Sequence, residues 1–487
     1  MLCLFDMNKL LIELPATIKQ CLEQISTNGE GLLFVVHNSI LQGSLSDGDI
    51  RRAILNGATL NDSVENFLNK NVHYLNELSA PIEIHKAFSP GIKFVPVVSG
   101  DGFVKRIMKI GESNFIPLSE PNLGFLETEY LNEALKSGWI SSAGNYVEMF
   151  EKLFANYVGS KHAISVSNGT LGLVLALKML DIGAGDEVIV PNTTFGATAN
   201  AVCQVGAIPI FADIDEHSLC LDIESFKSRI TEKTRAVIPV HLYGNAADLT
   251  EIQKIAKKSN VYVIEDAAEA LGTRIAGKHV GTFGDIGVFS FYANKTITTG
   301  EGGMIVLNND ALQAKGKMMR SHGFSPNNRY WHEIWGTNMR ITNLQAAIGC
   351  AQMERIDELV MAKQNNARIY RDLLKNLYPS HLTFIKELSG TENSHWLFVV
   401  KLKDKELTSS LELYLRAHQI ETRRIFYPLN IQPAFEEYNL KKVIFKGSTE
   451  AYDSGLCLPS STLLSPEQIQ KIAYVISNFF NETKEKS

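Results

Sequence analysis

A lysine that closes an apolar run and precedes a glycine-rich turn has the placement of a buried nucleophile. Lys295 has that placement: residues 285–292 form a β-rich run, and residues 290–304 read S-F-Y-A-N-K-T-I-T-T-G-E-G-G-M. Burial at the end of a strand favours the neutral amine, which can attack a carbonyl and form a Schiff base. The glycines behind it let the backbone fold closely around a bound molecule. Taken alone, the stretch also fits a solvated lysine before a glycine hairpin. Three other clusters bear on the choice.

Ser165-Val-Ser-Asn-Gly-Thr170 precedes a helical stretch at 171–180, and a short strand, a polar turn and a helix start make an anion seat. A plain helix cap is the structural alternative. No G-K-[ST] follows, so it is not a nucleoside-triphosphate loop. Pro191-Asn-Thr-Thr-Phe195-Gly-Ala-Thr198 puts an aromatic ring in a strand-to-helix turn, where it can stack on a flat ligand or pack in the core. Glu265-Asp266-Ala-Ala-Glu269 follows the apolar segment 261–264. Buried acids need a nearby cation, and a protonated pyridine nitrogen would serve. A metal ion is the rival, but no His/Asp cluster at ligand spacing accompanies the acids. Gly281, Gly284 and Gly287 echo a nucleotide loop, yet they precede a strand instead of following one. A phosphate seat, a stacking aromatic, a ring-nitrogen carboxylate and a Schiff-base lysine are together what pyridoxal 5′-phosphate requires.

The elements that must position these groups are read from periodicity. Apolar segments at 187–190, 208–211, 236–240, 261–264, 287–291 and 304–307 alternate with amphipathic stretches such as 171–180, 197–205 and 248–258. This alternation predicts a mostly parallel sheet covered on both faces, with ligands at the carboxyl ends of its strands. Each polar cluster falls at such an end. Residues 356–487 are richer in helix-period patterning and charge, with short strands near 397–402 and 421–426, and read as a smaller α/β domain. Residues 481–487 are polar and expected to fray.

The front of the chain carries two similar segments. A helical stretch at 16–26, a strand at 31–36, a turn and the segment 43–55 form the first. A strand at 94–98, the turn Ser99-Gly-Asp-Gly102 and a strand at 103–110 form the second, which suggests a repeat. Ser46 is placed to cap a helix whose first turn holds Asp47 and Asp49, near the positive end of the dipole. The short polar segment 111–117 ends at a proline and marks a domain boundary.

With 487 residues, two or three domains are expected. The formal net charge of -6 argues against a nucleic-acid-binding surface. The six cysteines, at positions 3, 21, 203, 220, 350 and 457, include no C-x-x-C pair and read as buried thiols in a reducing compartment. Asp6 and Lys9 interrupt the apolar N-terminus, so no signal peptide is expected, and no apolar run is long enough to span a bilayer. A cytoplasmic protein is the expectation.

From residue 116 onward the chain resembles the DegT/DnrJ/EryC1/StrS sugar aminotransferases, among them GDP-perosamine synthase-like and LegC-like enzymes. The motifs are I-P-L-S-E-P-N-L at 116–123, S-G-W-I-S-S-A-G at 137–144, S-N-G-T at 167–170, E-D-A-A-E-A-L-G at 265–272, G-T-F-G-D-I-G at 281–287, N-K-T-I-T-T-G-E-G-G-M at 294–304 and N-M-R-I-T-N-L-Q-A-A-I-G at 338–349. The resemblance implies an α/β, fold-type-I pyridoxal-phosphate transferase. Its large domain (115–360) carries a mostly parallel seven-stranded sheet, and a small C-terminal α/β domain (361–487) follows. It implies that Lys295 bonds the cofactor and that Asp266 partners the ring nitrogen. Phe195 and Ala268 flank the ring, while Gly169, Thr170 and Ser290 contact the phosphate. Glu269 lies near the phenolic oxygen, and Asn338 reaches the phosphate of a neighbouring subunit. Trp139, Trp331 and Tyr427 shape the sugar site. The implied reaction moves an amino group from L-glutamate to a keto nucleotide sugar for surface polysaccharide such as O-antigen, in a homodimer or a tetramer of such dimers. Relatives often carry His where this chain has Asn430. A pyridoxal-phosphate sugar dehydratase is an alternative, though that group has His in place of Lys295. A catalytically idle regulatory protein is another.

Residues 1–114 resemble a tandem CBS (Bateman) module, an α+β domain. That resemblance implies contact between Asp49 and the ribose of an adenine nucleotide, although no Ser/Thr-x-x-Asp helix start follows Ile110.

Overall fold

One β-α-β-β pattern occurs twice in the first hundred or so residues. The structure is a computed structural model describing residues 7–88, 92–109, 115–325, 327–328, 330–438 and 443–485. It divides into two units, Met1–Phe115 and Ile116–Ser487. In the first unit, β1 (Leu11–Glu13) pairs in parallel with β2 (Leu32–His37) across α1 (Ile18–Asn28). β2 then turns back antiparallel onto β3 (Ile40–Ser46), which leads into α2 (Asp47–Leu55). The second copy repeats the senses with β4 (Leu75–Asn76), α3 (Pro81–Ala87), β5 (Phe94–Val98) and β6 (Val104–Lys109). The register shifts at the same place in both hairpins, between Val35 and Val36 and between Val97 and Val98. Helix α1 starts two residues later than its periodicity predicts, because Thr17 and Gln20 form a reciprocal capping box. Ile110 and residues 111–114 of the polar segment lie outside the described residues.

The second unit opens with α4 (Phe125–Ser137) and α5 (Asn145–Val158). Then come β7 (His162–Val166), α6 (Gly169–Met179), β8 (Glu187–Pro191), α7 (Ala197–Gln204), β9 (Ile208–Ala212), α8 (Ile223–Arg229), β10 (Thr234–Val237), α9 (Leu249–Ser259) and β11 (Tyr262–Asp266). A small hairpin, β12 (Arg274–Ile275) with β13 (Lys278–His279), precedes β14 (Ile286–Ser290) and β15 (Gly303–Leu307). Seven strands form one sheet in the order β7-β15-β14-β11-β10-β8-β9, parallel except for β15, which runs against both neighbours. These strands read as nearly continuous apolar runs because both sheet faces are covered. Leu173, Ala176 and Val202 of α6 and α7 share a core with Val188 and Ile264, while Phe150 and Phe154 of α5 pack with Phe289 and Phe291. The chain passes from β9 back across β8 to β10, so the order reverses beside β8, the kind of place where such sheets bind ligands.

Helices α10 (Asp310–Arg320), α11 (Asn343–Glu354) and α12 (Ile356–Leu373) lead to β16 (Leu382–Phe384), β17 (Thr391–Glu392), β18 (Phe398–Leu402), α13 (Thr408–Ala417), β19 (Arg423–Arg424), α14 (Lys446–Ser454), β20 (Gly455–Leu458) and α15 (Pro466–Glu485). The order β16-β18-β20-β19 makes a second, antiparallel sheet. The strand expected over 421–426 contracts to two residues. Past it, the Phe426 N–H donates to the Tyr243 hydroxyl and the Leu429 N–H to the Asn192 carbonyl, so the backbone leaves the ladder.

Among the described cysteines, four are buried and Cys203 is half-buried, while Cys3 lies outside the described residues. No described helix is long and apolar enough to cross a membrane.

Candidate active site

The carboxyl ends of the parallel strands surround a cavity of about 580 Å³. Its walls come from the start of α6, the loop after β8, the end of β11, and the segment after β14 that holds Lys295.

Asn168 caps α6 by accepting the Leu171 N–H at 2.9 Å, and the helix begins at Gly169 instead of the expected 171. That shift places Gly169 and Thr170 in the first turn, where backbone donors and the dipole favour an anion. A Cβ on residue 169 would lie 3.0 Å from the Ser290 Cβ, so the glycine lets Ser290 approach the helix start.

Strand β11 extends through the acidic pair, which was expected to follow it: Glu265 and Asp266 register against Gly287 and Val288. Neighbouring strand residues point to opposite faces, and this separates their fates. Glu265 accepts N–H groups from Gly281 (2.5 Å), Phe283 (2.7 Å) and Gly284 (2.6 Å), and meets His241 Nε2 at 3.0 Å. The glycine run that fails as a nucleotide loop is therefore a cradle for an internal carboxylate. Asp266 lines the cavity, and its carboxylate accepts the Thr198 hydroxyl at 2.8 Å and the Ala268 N–H at 3.2 Å. Burial raises the Asp266 pKa, outweighing those two bonds. Both hydrogen-bond partners are neutral, so a cation delivered by a ligand would stabilise the ionised acid.

The Lys295 side chain is 13% exposed, and its amine lies 3.3 Å from Glu269 Oε1 and 3.7 Å from the centre of the Trp396 ring. Glu269 Oε2 accepts the Tyr243 N–H at 3.0 Å. Burial raises the Glu269 pKa against the opposing charge of Lys295. The Trp396 indole N–H donates 2.8 Å to the carbonyl of Asn294, fixing the backbone next to the lysine. Phe195, 61% exposed, and Ala268 also line the cavity. A helix start with close glycine packing, an exposed ring, a buried acid with neutral partners and a lysine beside a carboxylate fit a flat, phosphorylated pyridine aldehyde.

Other sequence candidates lie elsewhere in the unit. Asn338 Oδ1 accepts the Arg340 N–H and Nε–H, and Asn338 is not among the described residues lining the cavity of its own chain. Trp139 borders a separate cavity with Asn343 and Tyr146, and Trp331 is 61% exposed. Tyr427 borders a cleft of about 540 Å³ that adjoins the main cavity along Phe195, Arg423 and Phe426. Asn430 is tied to Asn192 by reciprocal amide bonds of 2.8 and 2.9 Å. In the first unit, Asp49 completes a capping box with Ser46 and pairs with Arg52 at 2.5 Å.

Sequence reading missed Trp396, Thr198, Tyr243 and Arg423. Thr198 lies inside a motif already singled out, at the second residue of α7 and three residues after Phe195. The others have no local pattern to mark them, since only folding brings them to Lys295.

Residues 122–477 match the DegT/DnrJ/EryC1/StrS aminotransferase family. The chain is 43% identical over 369 residues to the GDP-perosamine synthase of Vibrio cholerae, covering 75% of this chain and 99% of that protein. It is 41% identical over 368 residues to the GDP-perosamine synthase of Escherichia coli O157:H7, covering 76% and 99%. It is also similar to the solved aminotransferase of Psychrobacter cryohalolentis, at 30% identity and a TM-score of 0.72 over 76% of this chain and 99% of that one. The fold is thus that of an aminotransferase. The chain belongs to the DegT/DnrJ/EryC1/StrS family, and the matched residues lie wholly in the second unit.

Proposed function

We propose that the protein is a pyridoxal 5′-phosphate-dependent aminotransferase that moves an amino group from L-glutamate to a 4-keto-6-deoxy nucleotide sugar, for amino-sugar synthesis in a surface polysaccharide. The observation that carries this reading is the convergence of Lys295, Glu269, Asp266 and the α6 start on one cavity. The similarity to two GDP-perosamine synthases supports the nucleotide sugar.

When bound, the cofactor supplies an electron sink for the carbanion at the amino carbon. The chain's own residues do the rest. Gly169, Thr170 and Ser290 hold the phosphate, with the helix dipole behind them. Phe195 and Ala268 flank the ring, and Asp266 keeps its nitrogen protonated. The Lys295 amine takes the proton from the amino carbon of L-glutamate as a base and, as the conjugate acid, gives it up on the cofactor side. In the sugar half-reaction the direction reverses, and Lys295 delivers a proton to the carbon that receives the amine. Glu269 orients that amine and lies near the phenolic oxygen. Asn338 reaches the neighbouring subunit's phosphate in a homodimer, or in a tetramer of two dimers, and Trp139, Trp331 and Tyr427 shape the sugar site. The large domain spans 115–360 and the small one 361–487, in a cytoplasmic enzyme.

A panel of keto nucleotide sugars with L-glutamate, read by mass spectrometry for the one-amine product, tests the activity. Lys295→Arg should lower turnover by about a thousandfold or more and abolish the visible absorbance of bound cofactor. A coloured, active Lys295→Arg protein would overturn the assignment.

For the first unit we propose a CBS-pair-like module that binds an adenine nucleotide at Asp49. The two matching β-α-β-β copies support it. Calorimetry with AMP or ATP should give saturable heat that Asp49→Ala removes. Absence of heat in the unaltered protein defeats the nucleotide site.

A further inference from the structure

Tyr243 is fully buried, yet its backbone is left-handed, at φ 55° and ψ 19°. A residue with a Cβ keeps that conformation only where its surroundings over-determine it, and such residues gather at functional sites. The contacts that hold Tyr243 end on two walls of the candidate site. Its N–H donates to Glu269 Oε2 at 3.0 Å, while Oε1 of the same carboxylate faces Lys295. Its hydroxyl oxygen accepts the Phe426 N–H at 3.3 Å and lies beside the Cys457 thiol. Its ring stacks between Phe426 (5.6 Å, 14°) and Trp396 (6.2 Å, 10°). The next residue, Gly244, is pressed against the 394–396 backbone: a Cβ there would come 2.7 Å from the His395 nitrogen. The strained turn has no room to relax.

Those two walls serve adjoining spaces. Phe426 and Arg423 border both the cavity of about 580 Å³ that holds Lys295 and the cleft of about 540 Å³ that runs on to Tyr427. L-Glutamate is small enough to react within the first space alone. A nucleotide sugar, with a second ring system beyond its diphosphate, is longer, and the cleft that continues past Arg423 and Phe426 offers it room. We infer that Tyr243 is a positioning residue that holds the Phe426 side of the cleft in register with the Lys295–Glu269 pair, so that it governs binding of the acceptor's nucleotide end and not of the amino donor. The inference rests on the aminotransferase reading above.

Tyr243→Phe removes a single oxygen. The ring stack and the N–H bond to Glu269 stay, while the half-buried Phe426 N–H loses its acceptor. In the full-length protein supplied with pyridoxal 5′-phosphate, calorimetry with GDP and with UDP reads the cleft. The half-reaction with L-glutamate, followed by the cofactor's visible absorbance, reads the Lys295 end. Tyr243→Phe should weaken the better-bound of the two nucleoside diphosphates about tenfold and leave the glutamate half-reaction within about twofold. A circular-dichroism melt confirms that the variant is folded. Unchanged diphosphate binding, an equal loss in both arms, or an unaltered protein that binds neither diphosphate overturns the positioning role. The aminotransferase reading stands or falls separately, on the glutamate half-reaction of the unaltered protein.

Discussion

Asp49 in the first unit and Asp266 in the second are both acids singled out from short motifs, and folding gives them opposite chemistry. The Asp49 carboxylate is occupied locally: it accepts the Ser46 N–H and hydroxyl and pairs with Arg52. Burial pushes its pKa up, but those bonds and the guanidinium charge outweigh burial and hold it below the ordinary range. Asp266 sits at the end of a covered strand, with one hydroxyl and one amide for partners, and there burial wins. A carboxylate whose oxygens are engaged within its own helix turn is stable before any ligand arrives, so a nucleotide at Asp49 would have to share it with the cap and Arg52. One that is buried with neutral partners is stabilised when a cation arrives. The adjacent pair Glu265 and Asp266 repeats the lesson at a distance of one residue, since three N–H groups and His241 satisfy the first and leave the second to the cavity.

The comparison breaks most visibly in turnover. Asp266→Asn removes the charge proposed to partner the ring nitrogen and should lower turnover a few hundredfold to about a thousandfold. Asp49→Asn should leave turnover within about twofold, because its carboxylate serves a helix cap. Similar losses in both variants, measured with one acceptor and L-glutamate, would erase the distinction.

Stability against pH gives smaller effects of opposite sign. The folded pKa of Asp266 is raised, so its contribution is complete below the unfolded value near about 4 and is lost as pH rises through the folded value. In cofactor-free protein, Asp266→Asn should therefore stabilise near neutral pH by about 1–2 kcal/mol, a gain that shrinks toward about pH 4. The folded pKa of Asp49 is lowered, so its contribution is present above the unfolded value and lost as pH falls through the folded one. Asp49→Asn should cost about 1 kcal/mol at neutral pH, fading as the medium becomes strongly acidic. Urea denaturation across pH reads the first, and hydrogen exchange of the α2 amides reads the second. Matching signs would show that the two carboxylates do not differ as described.

Much of the architecture is legible in the chain because it rests on local periodicity. Apolar runs separated by amphipathic stretches can only be strands covered by helices, and the polar clusters fall where those runs end. Lys295, Asp266, Glu269 and the Ser165–Thr170 turn stand out for that reason. The boundaries were less legible. Asn168 moved the α6 start, and backbone pairing with β14 carried β11 through the acids; both depend on bonds that composition does not reveal.

By itself, then, the sequence determined which residues could bear a charge or a nucleophile and at which strand ends they lie, because side-chain chemistry and a period of about 2 or about 3.6 residues are properties of the chain. Only the tertiary structure decided that Glu265 turns into the glycine cradle while Asp266 faces the cavity. It alone brought the Trp396 ring to 3.7 Å from the Lys295 amine and set Tyr243 between two walls. The physical reason is that burial and hydrogen-bond partners are contributed by residues far away in the chain, and they decide whether a buried acid or amine is already satisfied or needs a ligand.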